Sequence, residues 1–570
     1  MTRHEPPTPE TDLQQWRQDQ PDNYFECDAV LAGMLSHLLG PQSYKTQRPG
    51  LARFGAVAAK DLDHLIAVLD NSRNLPVLTP RGRFGERIEE VTYAPAYHEA
   101  GRIVRASGVL SAYAHPHSNL VAASLLYLAA HHGEAGHICA IACTIGLIKA
   151  IAGVGDDTLR DAYLKPLRDP DYDRGMHGAQ YLTEIQGGSD VGSNTCQATR
   201  DDAGQWRLTG RKWFCSNVSA NLALVTARAT HAPGTKGLGL FVVPRHLPTG
   251  EMNSMYIDRL KDKLGTRSLA TGEVTFDEAL CYQLGEPERG FANVMKYAIT
   301  TSRLFDCVLA CGASRRAFII ASSFARHRRA FGQPIDTYPL VQQALLEIWT
   351  TSEAILAGTL HLAHLQDRLE EGQSDSQEKV FFRVMLGLLK VFTSTAATRC
   401  VLRAMECLGG NGTIHDFSVL PRLLQDCMVY ENWEGTHNTL LMQGIHDLRH
   451  DDAVEMFFSY LRAMSSAVGP SLRGLDPASW PRLKDMQERL IRELRKSDGE
   501  LSLFFRPFAA ELAREYCCLA LLLPDTSVFS PSDASAVDDR RRYYWTTRVP
   551  VSELPQASTD ELRRLTRQRP

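Results

Sequence analysis

From Cys27 to about Arg168 apolar residues recur at three- and four-residue spacing: AVLAGMLSHLL, KDLDHLIAVLDNS, AYHEAGRIVRASGVLSAYA, NLVAASLLYLAAHHG and ICAIACTIGLIKAIAGV. That period predicts an all-helical domain. After Pro170 the period shortens. Between about Gly178 and Leu284 the runs GAQYLTE, WRLTGRKWFCS, LALVTARAT, LGLFVVPR and GEVTFDEAL are separated by Gly, Asp, Asn and Pro turns. About a hundred residues of this kind predict a small barrel or sandwich. From about Phe291 long helical patterns return: TTSRLFDCVLACGASRRAFIIASSFARHRRAF, PLVQQALLEIWTTSEAILAGTLHLAHLQDRLE and EKVFFRVMLGLLKVFTSTAATRCVLRAMECL. Each is about thirty residues with few breakers, the pattern of a long antiparallel bundle. Beyond Asp447, AVEMFFSYLRAM, WPRLKDMQERLIRELRKS and LSLFFRPFAAELAREYCCLALLL add further helices.

The expected organisation is therefore α+β. A loosely ordered arm covers residues 1–25, a helical domain 26–177, a β-barrel 178–285, a helical bundle 286–447, an extra helical domain 448–524 and a poorly ordered polar tail 525–570. The tail carries one basic, aromatic spot from Arg540 to Trp545, read as a solvated face. No βαβ unit and no glycine fingerprint follows a strand, which argues against a Rossmann dinucleotide fold.

A chain of 570 residues suits several cores, and its net charge of -4 is too slight and of the wrong sign for a protein that wraps nucleic acid. The polar, proline-bearing N-terminus has no apolar h-region, and no uncharged run approaches the length of a membrane span, so a cytoplasmic location is expected. Thirteen cysteines without a CxxC pair read as packing residues of a reducing compartment. Cys307 and Cys311 share a helix face, and His131, His132 and His137 of HHGEAGH lack metal-ligand spacing, so no metal site is expected.

The chemistry concentrates between Cys407 and Met442. A glycine-dense turn at Gly409, Gly410 and Gly412 follows an apolar helix, and Trp433-Glu434-Gly435-Thr436 follows later, before a new helical pattern. Glycines let backbone pass close to a ligand or another subunit. A carboxylate beside a flexible residue and a hydroxyl, at a helix start, suits a base that works next to a bound cofactor. The competing reading is a solvated helix-start acid.

Several segments together resemble the acyl-CoA dehydrogenase family: YLTEIQGGSDVGSNT, RKWFCSN, HRRAFGQPI, and LGGNG followed by WEGT, with further agreement in KLGTRSLATGEVTFDEA and GEPERGF. The order and spacing match over about Tyr93 to Asp447. Ile185-Gln186-Gly187, Pro339, Trp433 and the extra helical domain resemble the AidB-type, adaptive-response branch.

The resemblance implies an N-terminal helical domain, a central small β-barrel, a C-terminal four-helix bundle and FAD. Thr183 with the backbone of Tyr181 and Leu182 lines the flavin ring, Gly188 permits close approach, and Ser189 meets the cofactor or the CoA portion. Trp213 and Phe214 pack at the flavin. The hydroxyl aimed at flavin N5 falls on Cys215 by simple count, with Ser216, the next residue, preferred. Arg328 and Phe331 hold the pyrophosphate and adenine of a neighbouring subunit's FAD, with Glu406, Gly409 and Gly410 framing that contact from across the interface, while Thr436 and Asn438, just after Glu434, bind phosphate or adenosine groups of FAD. Glu434 is the base, and Arg303 and Trp433 orient the acyl-CoA substrate. A homo-oligomer, most simply a tetramer, and electron-transfer flavoprotein or a similar acceptor follow as partners. The alternative attached to the AidB-type branch is DNA binding, which the near-balanced charge of the extra domain disfavours.

Overall fold

Leu222–Arg228 and Leu238–Pro244 are almost unbroken apolar runs because both their faces are covered. Ala223, Val225, Phe241 and Val243 turn into a barrel core, while Leu222, Leu224, Leu240 and Val242 pack on the helical core outside it. The computed structural model of the chain describes residues 8–69, 72–450, 452–468, 479–524 and 531–546.

The barrel closes by pairing. Gly178–Tyr181 runs parallel to Leu222–Arg228, which pairs with Leu238–Pro244, then Thr271–Gln283, then Trp206–Ser216, which returns to Gly178–Tyr181 through Gln180 and Ser216. Gln197–Arg200 and Met255–Leu260 flank this ring of strands.

The N-terminal domain is helical, with every residue from Asn119 to Ala130 buried. It is not all-helical as its periodicity suggests. A hairpin pairs Val77–Arg81 with Arg87–Thr92, and Arg87 donates to the Asn253 carbonyl at 2.9 Å, tying it to the barrel.

The bundle comprises a first helix Thr300–His327, a second Pro339–Glu370, a third Ser376–Leu408 and a short fourth His437–Leu448, with Leu420–Tyr430 leading into the last. An Asp375–Glu378 capping box starts the third sharply. Ser376–Thr413 is long and apolar enough to cross a membrane, but 72% of its apolar window is buried within the protein, as expected of a bundle core helix. Buried Arg316 pairs with Asp63 at 2.8 Å and locks the first helix to the N-terminal domain.

Two described segments near the chain ends depart from expectation. The arm is ordered from residue 8. Thr8 caps Pro9–Gln18, and Trp16 stacks on Phe417 at 5.2 Å while its Nε1 donates to Ser323 Oγ at 2.9 Å. An indole that finds both a ring and an acceptor anchors an otherwise polar segment. Residues 1–7 lie outside the described residues.

In the tail, Pro531–Thr546 is a helix, and Arg540 and Arg541 are buried rather than part of a solvated face. Arg540 pairs with Glu353 of the second bundle helix at 2.9 Å, both buried, and lies 4.0 Å over the Trp349 ring. Arg541 Nη1 donates to the Pro524 carbonyl at 3.2 Å. A carboxylate inside the bundle requires a buried counter-charge, which the sequence pattern does not show. The rest of the tail lies outside the described residues. Arg540→Met is expected to cost about 3 kcal/mol or more by stranding Glu353, and Glu353→Met added to it should restore most of that loss in calorimetric unfolding.

Candidate active site

Glu434 sits on the bend between Leu420–Tyr430 and His437–Leu448. Its φ of 55° is in the left-handed region and Gly435 follows at 107°, so the bend is held rather than relaxed. Two cations grip it, Lys390 buried and Arg303 half-buried. Arg303 Nε donates to the Glu434 carbonyl at 3.1 Å, and Lys390 Nζ donates to the Gly435 carbonyl at 3.2 Å. Arg303 is itself steadied by Gln443 Oε1 at 3.0 Å.

The side chain of Glu434 is used differently from its backbone. Its Oε2 is buried and accepts no hydrogen bond. Burial pushes the carboxyl above its ordinary range, against the opposing charges of Arg303 and Lys390. A buried carboxylate oxygen with no hydrogen-bond partner on a fixed bend is not that of a solvated helix-start acid, and it is free to accept a proton.

Two chains of contact cross from the barrel to this bend. Ser216 pairs with Gln180 in the sheet, and Gln180 Oε1 accepts from Ser302 Oγ at 3.4 Å, next to Arg303. Separately, Ser189 Oγ meets Thr439 Oγ1 at 3.0 Å, and Thr439 Oγ1 meets Thr436 Oγ1 at 3.0 Å. Thr436 also caps the fourth bundle helix. Thr439 and Gln180 were not singled out in the sequence, because a threonine inside a helix and a glutamine inside a strand carry no local signal.

The barrel loop that presents Ser189 is organised by Glu184. Its carboxylate accepts from Thr195 N at 2.7 Å, Thr195 Oγ1 at 2.9 Å, Cys196 N at 3.1 Å and Lys212 Nζ at 2.9 Å. Burial opposes its charge, but Lys212 and the loop amides outweigh that and hold the carboxyl below its ordinary value. Gly188 packs against Thr183 so closely that an added Cβ would lie 2.6 Å from Thr183 Oγ1. The Thr183 carbonyl accepts from Trp213 N at 2.8 Å, and Lys261 Nζ stands 3.7 Å over the Trp213 ring. Phe214, next along, is exposed, and the same Lys261 Nζ lies 4.8 Å over its ring.

Other expected residues are placed differently. Cys215 is fully buried inside the barrel core, so its thiol cannot reach a ligand. Strand alternation instead brings Ser216 out to Thr271 Oγ1 at 3.3 Å. The Tyr181 ring is likewise inside the barrel, which leaves only its backbone for a ligand. The Leu182 carbonyl is taken by Asn194 Nδ2 at 2.8 Å and by Lys212 Nζ at 3.1 Å. Asn438 accepts from Arg506 of the extra domain, a contact the motif does not suggest. Trp433 Nε1 donates to buried Asp306.

Arg328, Phe331, Glu406, Gly409 and Gly410 gather at the far end of the bundle. Glu406 is about 24 Å along the third helix from Lys390, and Arg328 about 37 Å along the first from Arg303, at 1.5 Å per residue. Phe331 is 97% exposed with φ 52°, and nothing lies within 4 Å of a Cβ at Gly409 or Gly410. A cavity of about 970 Å³, lined among others by His437, Phe392, Arg399, Glu406 and Arg506, runs between the bundle and the extra domain toward that end.

His131, His132 and His137 are ordinary core histidines. Their rings bond to the carbonyls of Tyr127, Ala58 and Tyr97, and burial holds His132 down to about 4 and His137 to about 3.

This architecture is matched by three domain descriptions in sequence. Residues 288–447 match the acyl-CoA dehydrogenase C-terminal domain, 179–279 its middle domain, and 15–174 the N-terminal domain of the adaptive response protein AidB. The chain is similar to acyl-CoA dehydrogenase family member 11 of Caenorhabditis elegans, 27% identical over 91% of this chain and 87% of that one. A solved structure of Caenorhabditis elegans ACDH-11 in complex with C11-CoA superposes with a TM-score of 0.83 at 26% identity, over 91% of this chain and 92% of that one. AidB of Escherichia coli is 32% identical over 67% of this chain and 72% of its own length. On these matches and this fold, the chain belongs to the acyl-CoA dehydrogenase family of FAD-binding proteins, in its AidB-type branch.

Proposed function

We propose that this protein is an FAD-dependent acyl-CoA dehydrogenase that introduces an α,β double bond into an acyl-CoA thioester, with Glu434 as its base. The observation that carries this reading is the buried, unpartnered Oε2 of Glu434 on a bend clamped by Arg303 and Lys390. The C11-CoA bound by the worm relative supports a thioester of this class.

The residues at the barrel–bundle seam fit a flavin dinucleotide. Thr183, Trp213 and Ser216 supply hydroxyls and a ring for its flat portion, and Thr436 at a helix start supplies a phosphate contact. FAD, when bound, supplies the acceptor for the hydride that leaves Cβ. Glu434 takes the proton from Cα at Oε2, and its backbone N–H donates to the thioester oxygen as negative charge gathers there. Arg303 and Lys390 keep the base from swinging away.

Arg328, Phe331, Glu406, Gly409 and Gly410 are too distant to serve the site of their own chain. They hold the adenosine half of the FAD of a second copy, which makes the protein a homo-oligomer, with a tetramer the natural closed form. Electron-transfer flavoprotein or a similar carrier would be the partner that takes up the electrons. DNA binding gains no support from the tail, where Arg540 and Arg541 are spent on internal contacts.

The test is anaerobic titration of the purified flavoprotein with acyl-CoAs of graded chain length. Bleaching of the flavin absorbance is expected with at least one of them. No bleaching with any thioester would overturn the reading.

A further inference from the structure

Beneath the bend, Lys390 belongs to a buried ion pair whose acid, Asp306, the chemistry above does not use. Asp306 of the first bundle helix and Lys390 of the third are 1% and 0% exposed at their side chains, with Lys390 Nζ 3.7 Å from Asp306 Oδ2. Asp306 Oδ1 accepts from Trp433 Nε1, and Lys390 donates to the Gly435 carbonyl. The residues immediately before and after Glu434 are thus tied to the two members of one ion pair. A surface pair would serve no such purpose, and a purely packed core would be at least as stable without these charges.

We propose that Asp306 is a positioning residue for the base. It holds the Glu434 bend through Trp433, and its charge offsets that of Lys390 so that Glu434 stays basic. The inference rests on Glu434 acting as the base.

The groups facing Asp306 are Lys390 from the third helix, Glu434 from the bend, Cys427 and Tyr430 from the helix before it, and Cys307 beside it. Glu434 is faced by Arg303, Lys390 and, from the N-terminal domain, Cys139. Lys390 is the cation common to both carboxyls. Burial, with Glu434 adding to it, pushes Asp306 up to about 7, against Lys390 and the Trp433 hydrogen bond. The two carboxyls therefore titrate as a coupled pair. Ionised Asp306 opposes Lys390, so Glu434 is a stronger base above that pH than below it.

The expected result is an anaerobic bleaching rate that rises with pH in two steps, the upper near neutrality. In Asp306→Asn the upper step should vanish and the plateau above it should fall by up to about tenfold, the effect of a one-unit drop in the base's pKa, with KM for the thioester unchanged. A merely structural role would lower thermal stability and leave the two steps in place. If Asp306→Asn folds poorly with Lys390 stranded, Asp306→Asn with Lys390→Met removes both charges, and the upper step should again be absent.

A second readout needs no turnover. The difference in tryptophan emission between the protein and Trp433→Phe should titrate near neutrality, and that titration should be missing from Asp306→Asn. Persistence of the upper step or of the emission titration in the Asp306 variants would overturn the inference. No bleaching in the unaltered protein would remove the dehydrogenase reading and this inference together. Bleaching with an unaltered pH profile in the variants would remove this inference alone.

Discussion

Glu434→Gln is expected to lower the rate of flavin bleaching by roughly 10³-fold, within the range that loss of a general base produces. Flavin content and the thermal midpoint should hardly change. Glutamine has the volume of glutamate, and Oε2 has no hydrogen bond to lose, so the substitution removes a proton acceptor and little else. It also relieves a buried acid of its desolvation cost, so any change in stability should be a small gain. In the unaltered protein the carboxyl is raised above its ordinary range by burial, and only its ionised form can accept the α-proton. The rate should therefore fall as pH drops through that raised value, at a pH higher than an exposed glutamate would give. Glu434→Asp should be intermediate, because the shorter side chain retreats toward the backbone that Arg303 and Lys390 hold. An unaltered bleaching rate in Glu434→Gln would mean that another group takes the proton.

The bend that carries Glu434 is legible in the sequence because its signal is local: a glycine and then a hydroxyl that caps a helix follow the carboxylate, within a recognisable order of segments. The barrel and bundle were legible for a related reason, since the change of period near Pro170 and again near Phe291 marks where one packing geometry yields to another. What supports the site was not legible. Asp306 and Lys390 each look like ordinary polar residues of long helices, and only the fold brings them within 3.7 Å. Glu184 and Lys212 lie in two of the segments that carry the resemblance, but nothing in the sequence pairs them. Cys215 and Ser216 could not be separated by counting, because a one-residue slip in a strand exchanges barrel interior for seam. In residues 8–25 and 531–546 polar composition hides single anchors, Trp16 in one and Arg540 in the other, whose partners lie in the bundle.

The second large effect belongs to the loop that carries Gly188 and Ser189. Lys212→Met is expected to cost about 3 kcal/mol or more, because it strands the buried Glu184 carboxylate. Lys212 Nζ bonds both Glu184 Oε1 and the Leu182 carbonyl, and Glu184 in turn holds Thr195 and Cys196 at the loop's other end. Without the ammonium the loop loses its staple, the Ser189–Thr439 contact to the bundle goes with it, and flavin should be shed on gel filtration. Adding Glu184→Gln should recover stability more fully than flavin retention, since a neutral pair satisfies burial but does not restore the loop's geometry. The pH dependence follows from the sign of the shift. The Glu184 carboxyl is held below its ordinary value in the folded protein, so its contribution to stability is present above the unfolded value, near pH 4, and is lost as pH falls through the lower folded one. In Lys212→Met the same carboxyl, buried without its counter-charge, moves upward, and the acid-induced release of flavin should begin at a higher pH than in the unaltered protein. Coincident release curves for the two proteins would show that Glu184 and Lys212 do not hold the loop.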